Sequence, residues 1–377
     1  MENQLKTIAA YESVGADQGQ PYVKNYNSIL IDDNRIINED DMITSPYDPG
    51  DSKSLRTVSM TELYDQSFQK RPPIIDGLIL PGTYIFAGAP KLGKSFLMMQ
   101  IAYHVATGKD MWGYHVRKGT VLYLALEDDL RRLQERLFRM FGTECADDLY
   151  LTTRADTLEG NLINQMEAFR EDHPDTSLII IDTLQKVKEQ GNDKYSYAND
   201  YETIGKLKAF TDFTGISLLI VHHTRKQQSD DHFEMISGTT AIHGAADGAF
   251  ILHKDKRVGS EAVLEISGRD QMDQKLYLNR NTESLIWEIT KAEAEEIALP
   301  ADPILEKVSA FANKFFCWEG SPSEFARLLD VDMAPNKLTM HLNVNRGRLA
   351  QEYNVEYKST RTHDGRRIRV IYDPWNP

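Results

Sequence analysis

Gly88-Ala89-Pro90-Lys91-Leu92-Gly93-Lys94-Ser95 matches the pattern G-x-x-x-x-G-K-[ST] at every defined position. The apolar run Thr83-Tyr84-Ile85-Phe86-Ala87 precedes it, and a helical pattern beginning at Phe96 follows. A strand, a glycine-bearing turn and a helix in that order turn backbone N–H groups inward around phosphate oxygens, with the positive helix end behind them. Gly88, Ala89, Pro90, Lys91, Leu92, Gly93, Lys94, Ser95 and Phe96 are therefore the candidate nucleotide-binding residues. Within this set Lys94 reaches for the β- and γ-phosphates, Ser95 for Mg²⁺, and Lys91 reads as a solvated side chain. ATP with Mg²⁺ is the cofactor expected.

Working outward, short apolar, strand-like runs alternate with helical patterns: Leu122-Tyr123-Leu124, Leu149-Tyr150-Leu151, Leu178-Ile179-Ile180-Ile181 and Leu218-Leu219-Ile220-Val221. Such alternation predicts an α/β fold with a mostly parallel sheet flanked by helices. Beyond Asp247 the runs shorten into what reads as an antiparallel meander. From Asp128 to Phe141 the 3.6-residue period places Leu130, Leu133, Leu137, Phe138 and Phe141 on one face, predicting a packed helix.

Three further strand ends carry chemistry. Asp182 closes a buried apolar strand and should emerge on the phosphate-loop edge, where it would hold Mg²⁺. Glu127 ends another strand, within reach of a water beside the γ-phosphate, and is the candidate general base. Asp128 and Asp129 fit instead the first turn of the next helix. His222 and His223 end a third strand and must point to opposite faces, so only one can look at the phosphates; His222 is the expected one.

Residues 1–56 read as an acidic arm without sustained periodicity, 57–292 as the nucleotide-binding core, 293–301 as a linker, and 302–377 as a separate unit. This last part orders three helices before two strands, with Asp364-Gly365 as hairpin turn, which is the order of a winged helix-turn-helix. It holds Arg346, Arg348, Lys358, Arg361, Arg366, Arg367 and Arg369, against a chain whose net charge is −14. That overall charge excludes wholesale coating of nucleic acid and confines any DNA contact to local patches. The N-terminus lacks a signal-peptide pattern and no apolar run could span a bilayer, so a cytoplasmic protein without membrane contact is expected. Cys145 and Cys317 read as buried free thiols.

Taken in order, GAPKLGKS, VLYLALED, LIIIDTL and LLIVHHTRK resemble the RecA-like ATPases of the plasmid RepA type, relatives of the DnaB replicative helicases. The resemblance spans roughly residues 70–290. It implies a homo-oligomeric ring, commonly a hexamer, whose ATP sites lie between subunits and are completed by a neighbour's arginine. The matching position is Arg269, although Ser267 stands where the family usually has lysine; Arg225 is the alternative. It also implies that residues 185–197 and 225–237 line a channel for single-stranded DNA. The C-terminal part would then take duplex DNA or a replication protein. A helicase or translocase serving replication of a plasmid, phage or mobile element is the leading expectation. A strand-handling ATPase that does not unwind DNA and an ATP-switched DNA-binding regulator are the alternatives.

Overall fold

The computed structural model describes residues 57–66, 71–188, 197–224, 232–236, 240–254, 259–294, 300–362 and 365–373. The acidic arm, Arg225, residues 189–196, 225–231 and 237 of the expected channel segments, residues 295–299 of the expected linker, and Asp364 lie outside them.

The phosphate-loop strand is β1 (Gly82–Gly88), buried throughout, and leads into α2 (Lys94–Thr107); a short helix, α1 (Met60–Asp65), precedes both. Next come β2 (Thr120–Ala125), α3 (Leu130–Phe141), β3 (Leu149–Thr152), α4 (Leu162–Asp172) and β4 (Thr176–Asp182). After these follow α5 (Leu184–Val187), α6 (Tyr197–Thr214), β5 (Ser217–His223), a 3₁₀ turn (His232–Met235) and α7 (Thr240–Ala245). Four strands complete the sheet: β6 (Gly248–His253), β7 (Glu261–Gly268), β8 (Gln274–Arg280) and β9 (Trp287–Ala294).

The nine strands run in the order β3-β2-β4-β5-β1-β6-β7-β8-β9. Pairing from β3 through β6 is parallel, and from β6 to β9 antiparallel. This is the mostly parallel α/β architecture expected, with the meander added at one side. Period-2 alternation sends each strand's side chains to two cores. Tyr84, Phe86, Tyr123, Leu178, Ile180, Leu219 and Val221 pack under α2 and α3. Ile85, Ala87, Leu124, Ile179, Ile181 and Ile220 pack under α4, α6 and α7.

Two expectations are corrected. On α3, Leu130 and Phe138 are 64% and 65% exposed, whereas Leu133 and Met140 are buried. Asp129 caps this helix by accepting from the Arg132 N–H, so its first turn begins at Leu130, and the buried stripe follows Leu133 and Met140, seven positions or two turns apart. Cys145 and Cys317 are exposed: Cys145 follows α3 in a surface loop, and Cys317 begins an edge strand.

C-terminal residues build a third core of their own. Its elements are α8 (Pro303–Phe315), β10 (Cys317–Gly320), α9 (Pro322–Leu328), α10 (Pro335–Val344), α11 (Arg346–Tyr353), β11 (Val355–Thr362) and β12 (Gly365–Tyr372). Two helix starts are set by side chains: Asp302 accepts from the Ile304 and Leu305 N–H groups, and Ser321 with Glu324 forms a capping box. The expected third helix divides at Asn345, and β10 adds a strand that pairs with β12, giving an antiparallel sheet ordered β10-β12-β11. Register pairs Lys358 with Arg369 and Thr360 with Arg367, so these residues share the sheet face opposite Tyr357, Ile368 and Val370. Lys358, Arg367 and Arg369 are exposed there. Arg348 is instead engaged by Glu352, and Arg366 by Asp65 of α1. On α10, Asn343 donates to the carbonyls of Tyr64 and Asp65, tying α1 to this unit.

Candidate active site

Glycine is required at both ends of the loop. A Cβ on Gly88 would stand 2.6 Å from the Leu252 carbonyl oxygen of β6. Gly93 has φ 107°, in the left-handed region, and a Cβ there would meet Arg280 Nη1 at 2.9 Å and Trp287 Cζ2 at 3.0 Å. Gly93 precedes α2, and no side chain caps the N–H groups of its first turn. Those groups face the loop, as an anion site at a helix start demands.

Lys94 is buried in the mouth of the loop. Its ammonium donates to the carbonyls of Gly88 at 2.8 Å and Ala89 at 3.0 Å, and stands 3.5 Å from Nδ1 of His223. Burial pushes the amine down to about 8, against the pull of the carboxylates of Asp182 and Glu127. His223 is held below the ordinary histidine value, first by burial and then by the Lys94 charge. Its ring is therefore neutral at pH 7. Since an ammonium can only donate, Nδ1 is the acceptor in this contact.

Asp182, at the end of β4, is buried beside them and accepts from the Tyr123 hydroxyl at 2.9 Å. Burial pushes its carboxyl upward; hydrogen bonds from Ser95 and Tyr123 and the charge of Lys94 oppose this, while Glu127 adds to it. A buried carboxylate bonded to a serine hydroxyl is an all-oxygen donor pair, the type that holds Mg²⁺ while the ion keeps several waters. Ser95 and Asp182 thus fit the ion expected of them. Glu127 is exposed in the turn just beyond β2, and its Oε1 accepts from the Thr183 hydroxyl at 3.1 Å. It is fixed at its inner oxygen and open to water.

The structure brings together Lys94, Ser95, Asp182 and Glu127 from separate sequence segments. It separates the two histidines differently from the sequence expectation: His223, not His222, meets Lys94. The reason is parity. His223 pairs with Gly88 and shares the face of Leu219 and Val221, beneath α2, whereas His222 continues the face of Leu218 and Ile220 and is buried. Sequence alternation divides the pair but cannot say which strand face α2 covers.

Arg269 lies elsewhere. Gly268 pairs with Gly248, which pairs with Tyr84, four residues before Gly88. At about 3.3 Å per residue, Arg269 begins some ~13 Å back from its own phosphate loop. Its guanidinium donates to the Gly244 carbonyl at 2.7 Å, on the exposed surface. It does not join the site of its own chain.

Several neighbours of the loop had no signal in the sequence. Trp287, fully buried, donates from Nε1 to the Gly93 carbonyl at 3.3 Å. Gln100 of α2 grips the Trp287 backbone at both ends, accepting its N–H at 2.8 Å and donating to its carbonyl at 2.9 Å. Arg280 lies over the rings of Phe96 and Trp287. The meander carries these residues back to the phosphate edge, and only the antiparallel order of β7, β8 and β9 predicts that return. Tyr123 was more legible, because it shares the parity of Ala125 in β2.

Residues 51–229 match the model of a family described as an AAA domain. The match spans the phosphate loop, Glu127, Asp182 and both histidines, the residues that the fold gathers at one edge. The region so matched carries a P-loop ATPase domain. Among curated proteins none matches the ATPase significantly. Three solved structures are similar at low identity. One, described as an ATPase domain, shares 12% identity over 56% of this chain and 85% of its own, with a TM-score of 0.47. A DnaB-like replicative helicase, described with its primase interactions, shares 14% over 59% of this chain, with a TM-score of 0.48; the ATPase spans 63% of that helicase. A KaiC-like protein from Pyrococcus horikoshii OT3 shares 13% over 60% of this chain and 99% of its own, with a TM-score of 0.43. No helix among the described residues of the ATPase is long and apolar enough to cross a membrane.

Proposed function

We propose that this ATPase is a DNA-stimulated motor, a helicase or translocase for replication of a plasmid, phage or mobile element, working as a homo-oligomeric ring, most simply a hexamer. The observation that carries the reading is the convergence of Lys94, Ser95, Asp182 and Glu127 at one sheet edge. Lys94 would neutralise the β- and γ-phosphates, and the backbone N–H groups between Ala89 and Phe96, that of Pro90 being absent, would cradle them. Ser95 and Asp182 would hold Mg²⁺, which supplies charge compensation to the phosphate oxygens when bound. Glu127, held by Thr183 and open to solvent, would orient the attacking water and accept its proton. His223 would sense the γ-phosphate through Lys94.

An inter-subunit site is supported by the distance of Arg269 from its own loop, because an arginine there can compensate transition-state charge only on a neighbour's nucleotide. Single-stranded DNA would run past residues 185–197 and 225–237. The C-terminal unit is read as a winged helix, with the exposed face of Lys358, Arg367 and Arg369 against duplex phosphates or a replication protein. Soluble partners of this kind agree with a cytoplasmic location.

The test combines sedimentation with ATPase rates, with and without single-stranded DNA, and displacement of an annealed strand. A ring with stimulated turnover and unwinding is expected; a persistent monomer or dimer whose turnover ignores DNA would overturn the motor reading. Arg269→Ala should abolish turnover and spare ATP binding, and mixing it with Lys94→Ala subunits should restore activity. The exposed basic face of β11 and β12 also favours a second reading, an ATP-switched regulator. Duplex binding lost on deleting residues 302–377, with slow turnover indifferent to DNA, would select it.

A further inference from the structure

On the sheet face opposite Lys94, three residues unrelated to nucleotide chemistry converge: His232 of the 3₁₀ turn, His253 at the end of β6, and Glu265 of β7. Register explains two of them. Glu265 pairs with Ile251 and His253 with Val263, so the carboxylate and the imidazole stand on one face, one diagonal step apart. His232 is brought over them because Phe233 and Ile236 pack into the core beneath α6 and α7, and Ile236 bridges Thr224 at the end of β5.

The three ligand atoms lie within 4.8 Å of one another. His232 Nδ1 is 3.2 Å from Glu265 Oε2, and His253 Nε2 is 3.5 Å from Oε1. Two ligands bound at about 2.0–2.1 Å in tetrahedral geometry stand roughly 3.3 Å apart, between these two values. The rings face each other at 3.9 Å between centroids and 31° between planes. Glu265 is buried; burial works to raise its carboxyl, but the bonds from Lys275 and His232 prevail and hold it below the ordinary range. Lys275, 3.1 Å from Oε1, is the rival cation, but its side chain is 55% exposed and can return to water. Two imidazoles and one carboxylate form a borderline-soft donor set, suited to zinc and unsuited to Mg²⁺.

We propose that His232, His253 and Glu265 bind a divalent transition metal ion of the zinc type, with water as fourth ligand. The ion fastens the 3₁₀ turn His232–Met235 to the sheet. Ile236, directly after that turn, bridges Thr224, the neighbour of His223. Leu252, the neighbour of His253, is also the residue whose carbonyl closes on Gly88. One ion therefore ties the turn to the strand that walls the phosphate loop.

The test is Zn²⁺ and Co²⁺ titration of the full chain, stripped of metal, in excess Mg²⁺ so that Ser95 and Asp182 are masked. One ion per chain is expected, with the visible Co²⁺ absorption of a four-coordinate site. His232→Ala, on an accessible turn, should weaken Zn²⁺ by more than about tenfold, the least that loss of even an outer-shell partner costs. Glu265→Gln should abolish the Co²⁺ bands. Zn²⁺ should also slow proteolysis between residues 225 and 239 in the parent chain and not in His232→Ala. Absence of uptake, or equal uptake by the parent and His232→Ala, overturns the proposal; both readouts are independent of ATP turnover, so they stand or fall apart from the motor reading.

Discussion

Lys94→Met tests the electrostatics of the loop directly. The Lys94 amine lies at about 8 in the folded chain and at the ordinary 10.5 in the unfolded one, chiefly through burial. Below about pH 8 both states hold the proton, and the folded state bears the full cost of a desolvated ammonium. Between about 8 and 10.5 the unfolded chain binds the proton that the folded chain has released, so stability climbs with pH. At about 1.4 kcal/mol per pH unit, the whole climb is about 3 kcal/mol. Methionine keeps the volume and removes the charge, so the variant lacks this climb; besides it, only the titrations that the Lys94 charge touches, those of His223 and Asp182, differ. It also loses the bonds to Gly88 and Ala89, about 1.5–3 kcal/mol each at neutral pH while the amine is charged. The assay is urea unfolding of both proteins at steps from about pH 7.5 to about pH 10. Stability of the parent minus that of the variant should rise by about 2–3 kcal/mol across the range, with nucleotide binding lost in the variant throughout. A flat difference would refute the claim that the loop buries its own cation.

Gly93→Ala combines a left-handed φ with contacts near 3 Å to Arg280 and Trp287; it should destabilise the chain by about 1–3 kcal/mol, read as a lower Tm, and weaken binding of a fluorescent ATP analogue. Trp287→Ala empties a fully buried site and should cost about 3–5 kcal/mol in urea unfolding. Asp182→Asn should remove the Mg²⁺ dependence of turnover while nucleotide binding in EDTA persists, which a Mg²⁺ titration of both properties will measure. His223→Ala should lower kcat more than His222→Ala, since only His223 reaches Lys94; steady-state kinetics of the two variants compare them.

Much of the parallel half of the sheet was legible because its strands are buried on both faces and read as continuous apolar runs, each ending where chemistry begins. Asp182 and Glu127 could be singled out for that reason. What the sequence left ambiguous were matters of which side. Period-2 alternation divides His222 from His223 without saying which strand face lies under α2. The helical period of α3 offers more apolar residues than the core accepts, and the fold leaves Leu130 and Phe138 outside. The contacts of Trp287 and Arg280 with Gly93 span nearly 200 residues and depend on three antiparallel turns of chain, so no local pattern announces them. Strand β10 is four residues long, too short for periodicity to register, and takes its identity from pairing with β12.

The grip of Gln100 on Trp287 has a mechanical consequence. An amide side chain that both donates to and accepts from one residue behaves as a strand partner mounted on a helix, and here it joins α2 to the first residue of β9. Strain imposed on the phosphate loop then has a short route: along about two turns of α2, through two hydrogen bonds, into the outermost strand. It bypasses the strands between, and it arrives on the strand from which the chain departs toward its C-terminal unit. The loop and that exit strand form one lever, with Gln100 as its pin.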